Sequence, residues 1–184
     1  MEKYDSCVRK LIEAFSDSGL DYALTGAIAV SFYGSPRTTN DIDVMVAVAD
    51  ETESKNKVVG ALQHAGFDAK ERKIDEALTS GYNIASFHNK KSPYSVDIIF
   101  SREKLDKHKA TIFGTETFLQ SPEGLVLAKL RMIKVTVPRE RSFKDEEDVK
   151  AILAFSNVNL DTVKRKAGKE GTLNILEALV EERL

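Results

Sequence analysis

The apolar positions of the opening segment, Tyr4, Cys7, Val8, Leu11, Ile12 and Phe15, recur every three or four residues, the period of a helix with one buried face. Gly19 follows as a residue that closes a helix in the left-handed conformation. The apolar run Tyr22 to Leu24 predicts a short strand, and Gly26 to Tyr33 a short helix begun at a glycine. Residues 34–40 are rich in turn formers, after which Asp41 to Val48 alternates polar and apolar in the manner of a strand. Val58, Val59, Leu62 and Ala65 predict a helix ending at Gly66. Tyr82 to Phe87 and Tyr94 to Phe100 read as strands separated by the polar turn around Asn89 to Pro93, with a further strand at Thr111 to Phe118. From Pro122 onward the period is helical, in four segments: Pro122 to Val135, Asp145 to Phe155, Leu160 to Ala167 and Thr172 to Leu184.

Strands early and helices late define an α+β, α/β-like class: a small mixed β-sheet flanked by helices over residues 1–120, with a C-terminal helical portion over 121–184 packed on the same domain. A chain of 184 residues, 42% hydrophobic and 30% charged, suffices for one good core. The formal charge of −2 excludes a global electrostatic attraction to nucleic acid or anionic membrane, so any basic site must be local. The run Lys164 to Lys169 reads as a solvated helix face. Cys7, the lone cysteine, falls on the apolar stripe of the first helix and forms no internal disulfide. With no leader pattern and no membrane span, these features predict a cytoplasmic protein.

Candidate chemistry lies in the carboxylates. In an extended strand Asp41, Asp43 and Met45 share one face while Ile42, Val44, Val46 and Val48 share the other. Two carboxylates at that spacing lie roughly 7 Å apart at the backbone, close enough to bridge a metal. Asp97 interrupts the apolar run Tyr94-Ser-Val-Asp-Ile-Ile-Phe100, where a charge needs a reason. If its strand lies beside that of Asp41, three carboxylates converge, and oxygen-only ligands suit Mg2+ or Mn2+. His64, His88 and His108 show no zinc spacing. Gly26, placed after a strand and at the start of a helix, offers backbone N–H groups and a positive dipole end to a phosphate. Arg37, whose fork matches phosphate geometry, is the first candidate clamp.

The string Leu24-Thr-Gly26-Ala27, then thirteen residues, then Asp41-Ile-Asp43-Val44, and later Val96-Asp97-Ile98, resembles the signature of the DNA polymerase β-like nucleotidyltransferase superfamily. The longer run from Gly26 to Asp43 is similar to the branch holding abortive-infection toxin nucleotidyltransferases and their prokaryotic relatives. That branch carries a lysine on a helix and then a Lys-Asp-x-x-Asp element, matched here by Lys129 and by Lys144-Asp145-Glu-Glu-Asp148. The resemblance implies the nucleotidyltransferase fold, metal on Asp41, Asp43 and Asp97, phosphate contacts from Lys129 and Lys144, and a role for Asp145 in orienting basic groups or assisting catalysis. Ala27 departs from the glycine or serine usual at its position, so that either Ser35 or Ser31 supplies a hydroxyl or triphosphate binding is weaker.

The expected function is a metal-dependent enzyme moving a nucleoside monophosphate from a nucleoside triphosphate (NTP) to a hydroxyl of RNA, protein or a small molecule. Asp97 serves as metal ligand and general base. The alternative is a catalytically degenerate nucleotide-binding or toxin/antitoxin-type interaction module, and partners include a possible homodimer.

Overall fold

The computed structural model describes residues 3–182, which form two compact units. The first unit comprises the chain up to Ile28 together with Thr38–Gln120. It holds helix α1 (Tyr4–Asp17), strand β1 (Tyr22–Leu24), the first turn of α2 (Gly26–Tyr33), β2 (Asp41–Ala47), α3 (Glu51–His64), α4 (Glu71–Thr79), β3 (Ile84–His88), β4 (Ser95–Ser101), β5 (Lys107–Ile112) and β6 (Thr115–Gln120). Its six strands make one sheet in the order β3-β4-β2-β1-β6-β5. β2 runs parallel to β4 and antiparallel to β1, while β1 meets β6 in parallel through the single pair Leu24 and Leu119. The sheet is therefore mixed, as the order of elements predicts.

Alternation sets what faces the core. Ile42, Val44 and Val46 of β2 and Val96, Ile98 and Phe100 of β4 are buried, and the residues between them are less so. Cys7, Val8, Leu11, Ile12 and Phe15 of α1 and Val58 and Leu62 of α3 complete this core; the helical period of α1 becomes a buried stripe. Asp50 starts α3 by accepting the Glu53 N–H at 2.7 Å.

The second unit comprises Ala29–Arg37, including the rest of α2, and the chain from Ser121 onward. Its helices are α5 (Pro122–Val135), α6 (Phe143–Phe155), α7 (Leu160–Glu170) and α8 (Leu173–Glu181). Ser121 caps α5 by accepting the Gly124 N–H at 3.0 Å, with Pro122 in the first turn where its missing N–H costs nothing. Leu125, Leu130, Val149, Ile152, Val163, Leu176 and Leu179 form the core of this unit. The run Lys164 to Lys169 keeps most of its length in solvent around the buried Ala167. Among the described residues, no helix is long and apolar enough to cross a membrane.

The structure differs from these expectations at four points. The strand expected at Thr111 to Phe118 is a hairpin: Ile112 pairs with Thr115, and Phe113 and Gly114 form a two-residue turn with φ of 48° and 83°. Helix α4 has no counterpart in the sequence reading, because it buries only Ile74 and Ala77. The strand expected from Tyr82 starts at Ile84, since Asn83 takes a positive φ of 54°. The last expected helix runs Leu173–Glu181, and residues 183–184 of the expected span lie outside the described residues.

Candidate active site

The register of β2 and β4 decides which carboxylates meet. Asp43 lies directly beside Asp97 and Asp41 beside Ser95 across the parallel pair. Neighbouring strands lie about 4.8 Å apart, so the Asp43 and Asp97 backbones are at that spacing, with their side chains on the same, less buried face. The Asp41 carboxylate accepts a short hydrogen bond from the Ser95 hydroxyl. Among the described residues, no three His, Cys, Asp or Glu side chains are drawn together tightly enough to hold a metal ion. The donors nonetheless suit a hard cation, since all are carboxylate oxygens.

Gly26 is fixed by Asp43. Its φ is +56°, in the left-handed region, and a Cβ built there would lie 1.9 Å from Asp43 Oδ2 and 2.5 Å from Cγ. Both the backbone angle and the space therefore demand glycine. The Thr25 N–H donates to the Asp43 carbonyl at 2.9 Å, and the buried Thr25 hydroxyl donates to Gln120 Oε1 at 2.5 Å. These bonds hold the start of α2, and with it the helix's free N–H groups, against the carboxylate strand. Ala27 is buried at 3% exposure, and its methyl group offers no hydroxyl to a ligand.

In the helical unit the expected phosphate-binding cations already have acidic partners. Lys129 Nζ lies 2.6 Å from Asp145 and 2.9 Å from Asp148, and Arg37 donates to Asp148 at 2.5 Å. Asp148, 8% exposed, thus bridges the two cations. The Arg37 backbone N–H donates to the Ser31 hydroxyl at 3.2 Å, while Ser35 and Lys144 are exposed. Asp145 thus faces Lys129 as an ion-pair partner.

Sequence reasoning missed three residues here. Ser95, which holds Asp41, and Asp148 were visible only as parts of longer strings. Tyr4 looked like one more apolar position of α1. Its hydroxyl donates to the Asp41 carbonyl at 3.3 Å, and its ring meets Tyr94 edge-on at 5.2 Å and Phe113 at 6.2 Å. Burial, followed by the negative fields of Asp43, Cys7, Asp41 and Tyr94, raises the Tyr4 phenol above the ordinary range.

The sheet and helices define the nucleotidyltransferase fold. The antibiotic-resistance factor ANT(2'')-Ia in solution superimposes with a TM-score of 0.68 at 13% identity over 97% of each chain. Its crystal form in complex with adenylyl-2''-tobramycin gives 0.61 at 13% over 98% of each. An antigenic nucleotidyltransferase-like protein from Paracoccidioides brasiliensis gives 0.57 at 13%, covering 95% of this chain and 91% of its own. No family profile and no curated protein sequence matches the chain.

Proposed function

We propose that the protein is a metal-dependent nucleotidyltransferase that moves a nucleoside monophosphate from a nucleoside triphosphate to a hydroxyl. The observation that carries this reading is the placing of Asp43 beside Asp97, with the obligate glycine at the start of α2 pressed against Asp43. A carboxylate pair and a helix N-terminus together provide for a cation and the phosphates it accompanies. Mg2+ or Mn2+ on Asp41, Asp43 and Asp97 would neutralise charge on the triphosphate and lower the pKa of the acceptor hydroxyl. The Gly26 and Ala27 backbone holds phosphate oxygens. Asp97 takes the acceptor proton as the acceptor oxygen bonds to the α-phosphorus and pyrophosphate departs. Arg37, Lys129, Lys144 and Ser35 are assigned to phosphate recognition, with Asp145 and Asp148 holding Lys129 in place until then.

The bound adenylyl-2''-tobramycin of one structural neighbour favours a small-molecule acceptor over RNA or protein. Kinship with the abortive-infection branch and a cytoplasmic location belong to the same proposal. A second reading, a silent binding module, draws on the acidic partners of Arg37 and Lys129 and on the capture of Asp41 by Ser95.

Thermal-shift titration with each of the four ribonucleoside triphosphates, with and without Mg2+ or Mn2+, separates the two. A triphosphate at one hundred times its Kd should add about 2.7 kcal/mol of stability. That gain should need the metal, reverse with EDTA, and vanish in Asp41→Asn/Asp43→Asn. A folded wild-type protein that shows no shift with any triphosphate favours the binding module.

A further inference from the structure

Three aromatic rings from separate parts of the sheet unit converge on the beginning of β2. Tyr4 comes from the first turn of α1, Tyr94 immediately precedes β4, and Phe113 sits in the β5–β6 turn. Tyr4 meets both others edge-on, at interplanar angles of 78° and 90°. Its hydroxyl is tied to the Asp41 backbone, and Ser95, the residue after Tyr94, is tied to the Asp41 carboxylate.

Phe113 is the unusual member. Ile112 and Thr115 close a two-residue hairpin in which both central residues have positive φ, a turn that favours asparagine or aspartate before glycine. A phenylalanine there is strained. Burial does not explain its presence, since Phe113 remains 47% exposed. What the strained backbone achieves is to stand a ring on the edge of Tyr4 with much of its surface open to solvent.

The direction of the reaction identifies the occupant. Gly26 and the start of α2 flank Asp43, whereas Tyr4, the ring the other two meet, is tied to the carbonyl of Asp41, two residues nearer the beginning of the same strand. In-line displacement puts the leaving pyrophosphate and the attacking hydroxyl on opposite sides of the α-phosphorus. With the phosphates at Gly26, the attacking group enters from the Asp41 side. Resting on the proposed nucleotidyl transfer, we infer that Tyr4, Tyr94 and Phe113 form the acceptor wall, which takes the ring face of a small hydroxyl-bearing molecule and aims its hydroxyl toward Asp97.

The full chain, labelled at its Tyr and Phe rings, is titrated by NMR with phenyl β-D-glucopyranoside and separately with glycerol, which has hydroxyls but no ring. Each titration is run with and without the triphosphate that gives the largest thermal shift. The glucoside is expected to move the Tyr4, Tyr94 and Phe113 resonances saturably, and glycerol to leave them in place. Phe113→Asn, which suits the turn and removes the ring, should weaken the glucoside roughly five-fold, the size of one aromatic contact. Tyr94→Leu gives the same test on a second wall. Equal responses to both probes, or an unchanged glucoside affinity in both variants, overturns the inference. So does a loss of triphosphate affinity in Phe113→Asn, which would make the cluster the base site. If the wild type binds no triphosphate, the nucleotidyl-transfer reading fails, and with it the acceptor assignment; the glucoside titration of the free protein then shows separately whether the cluster binds rings.

Discussion

A methyl group at position 26 would land on the Asp43 carboxylate, so Gly26→Ala tests the site at the scale of one atom. Strain at positive φ and the displaced aspartate should together cost about 2–4 kcal/mol, read by urea denaturation. The metal-dependent triphosphate shift should be lost as well. An alanine variant of wild-type stability would show that Asp43 swings away freely. Tyr4 supplies a pH-dependent prediction for the metal-free protein. Its folded pKa is raised, first by burial and then by Asp43, so it favours the folded state fully below the unfolded phenol pKa of about 10. That contribution is lost as pH rises beyond it toward the folded value. Tyr4→Phe should flatten the alkaline fall in stability between pH 10 and 12 in a series of denaturation curves. An equally steep fall in the variant would remove Tyr4 as its source.

Among the elements, α6 carries the residue on which two others depend. Asp148 serves both Arg37 and Lys129, whereas Asp145, among the described residues, pairs with Lys129. Asp148→Asn should therefore cost about 3 kcal/mol by leaving two largely buried cations short of a partner, and Asp145→Asn about 1 kcal/mol. Equal losses in chemical denaturation would mean that the cations re-pair. The same elements show where the sequence was readable. α1 and β2 announced themselves because each has one buried face, which writes a period of 3.6 or of 2 into the chain. The placing of Asp43 beside Asp97 followed from that alternation once the two strands paired, whereas Asp41 lies beside Ser95. α4 gave little signal, as two buried residues in nine set no period. The β5–β6 turn was hidden because Phe113 occupies a position where asparagine would have marked it. The bridging role of Asp148 and the hold of Ser95 on Asp41 depend on tertiary placement, which local pattern does not encode.

For the molecule as a whole, the formal charge of −2 bears on partners. A protein with this balance has no general attraction for a polyanion, and its phosphate sites are local. A short single-stranded RNA should not retard the protein on a native gel at physiological salt, with or without metal. Retardation would return RNA to the list of acceptors.

The shortest strand of the sheet is also a central one. β1 has three residues, and it joins the β5–β6 hairpin to the carboxylate strands through a single backbone pair, Leu24 with Leu119. Much of that joint is laced by side chains: Tyr22 with Thr117 at 3.0 Å, Thr25 with Gln120, and Lys107 with Asp21 and the Tyr22 carbonyl. A hairpin attached in this way behaves as a lever. From Leu119 to the Phe113 turn is about 20 Å of strand, so a tilt of about 10° at the joint carries the turn about 3 Å. Because side chains rather than a long ladder of amides set that tilt, single substitutions far from the carboxylates, such as Thr117→Val, should shift the Phe113 ring relative to Tyr4.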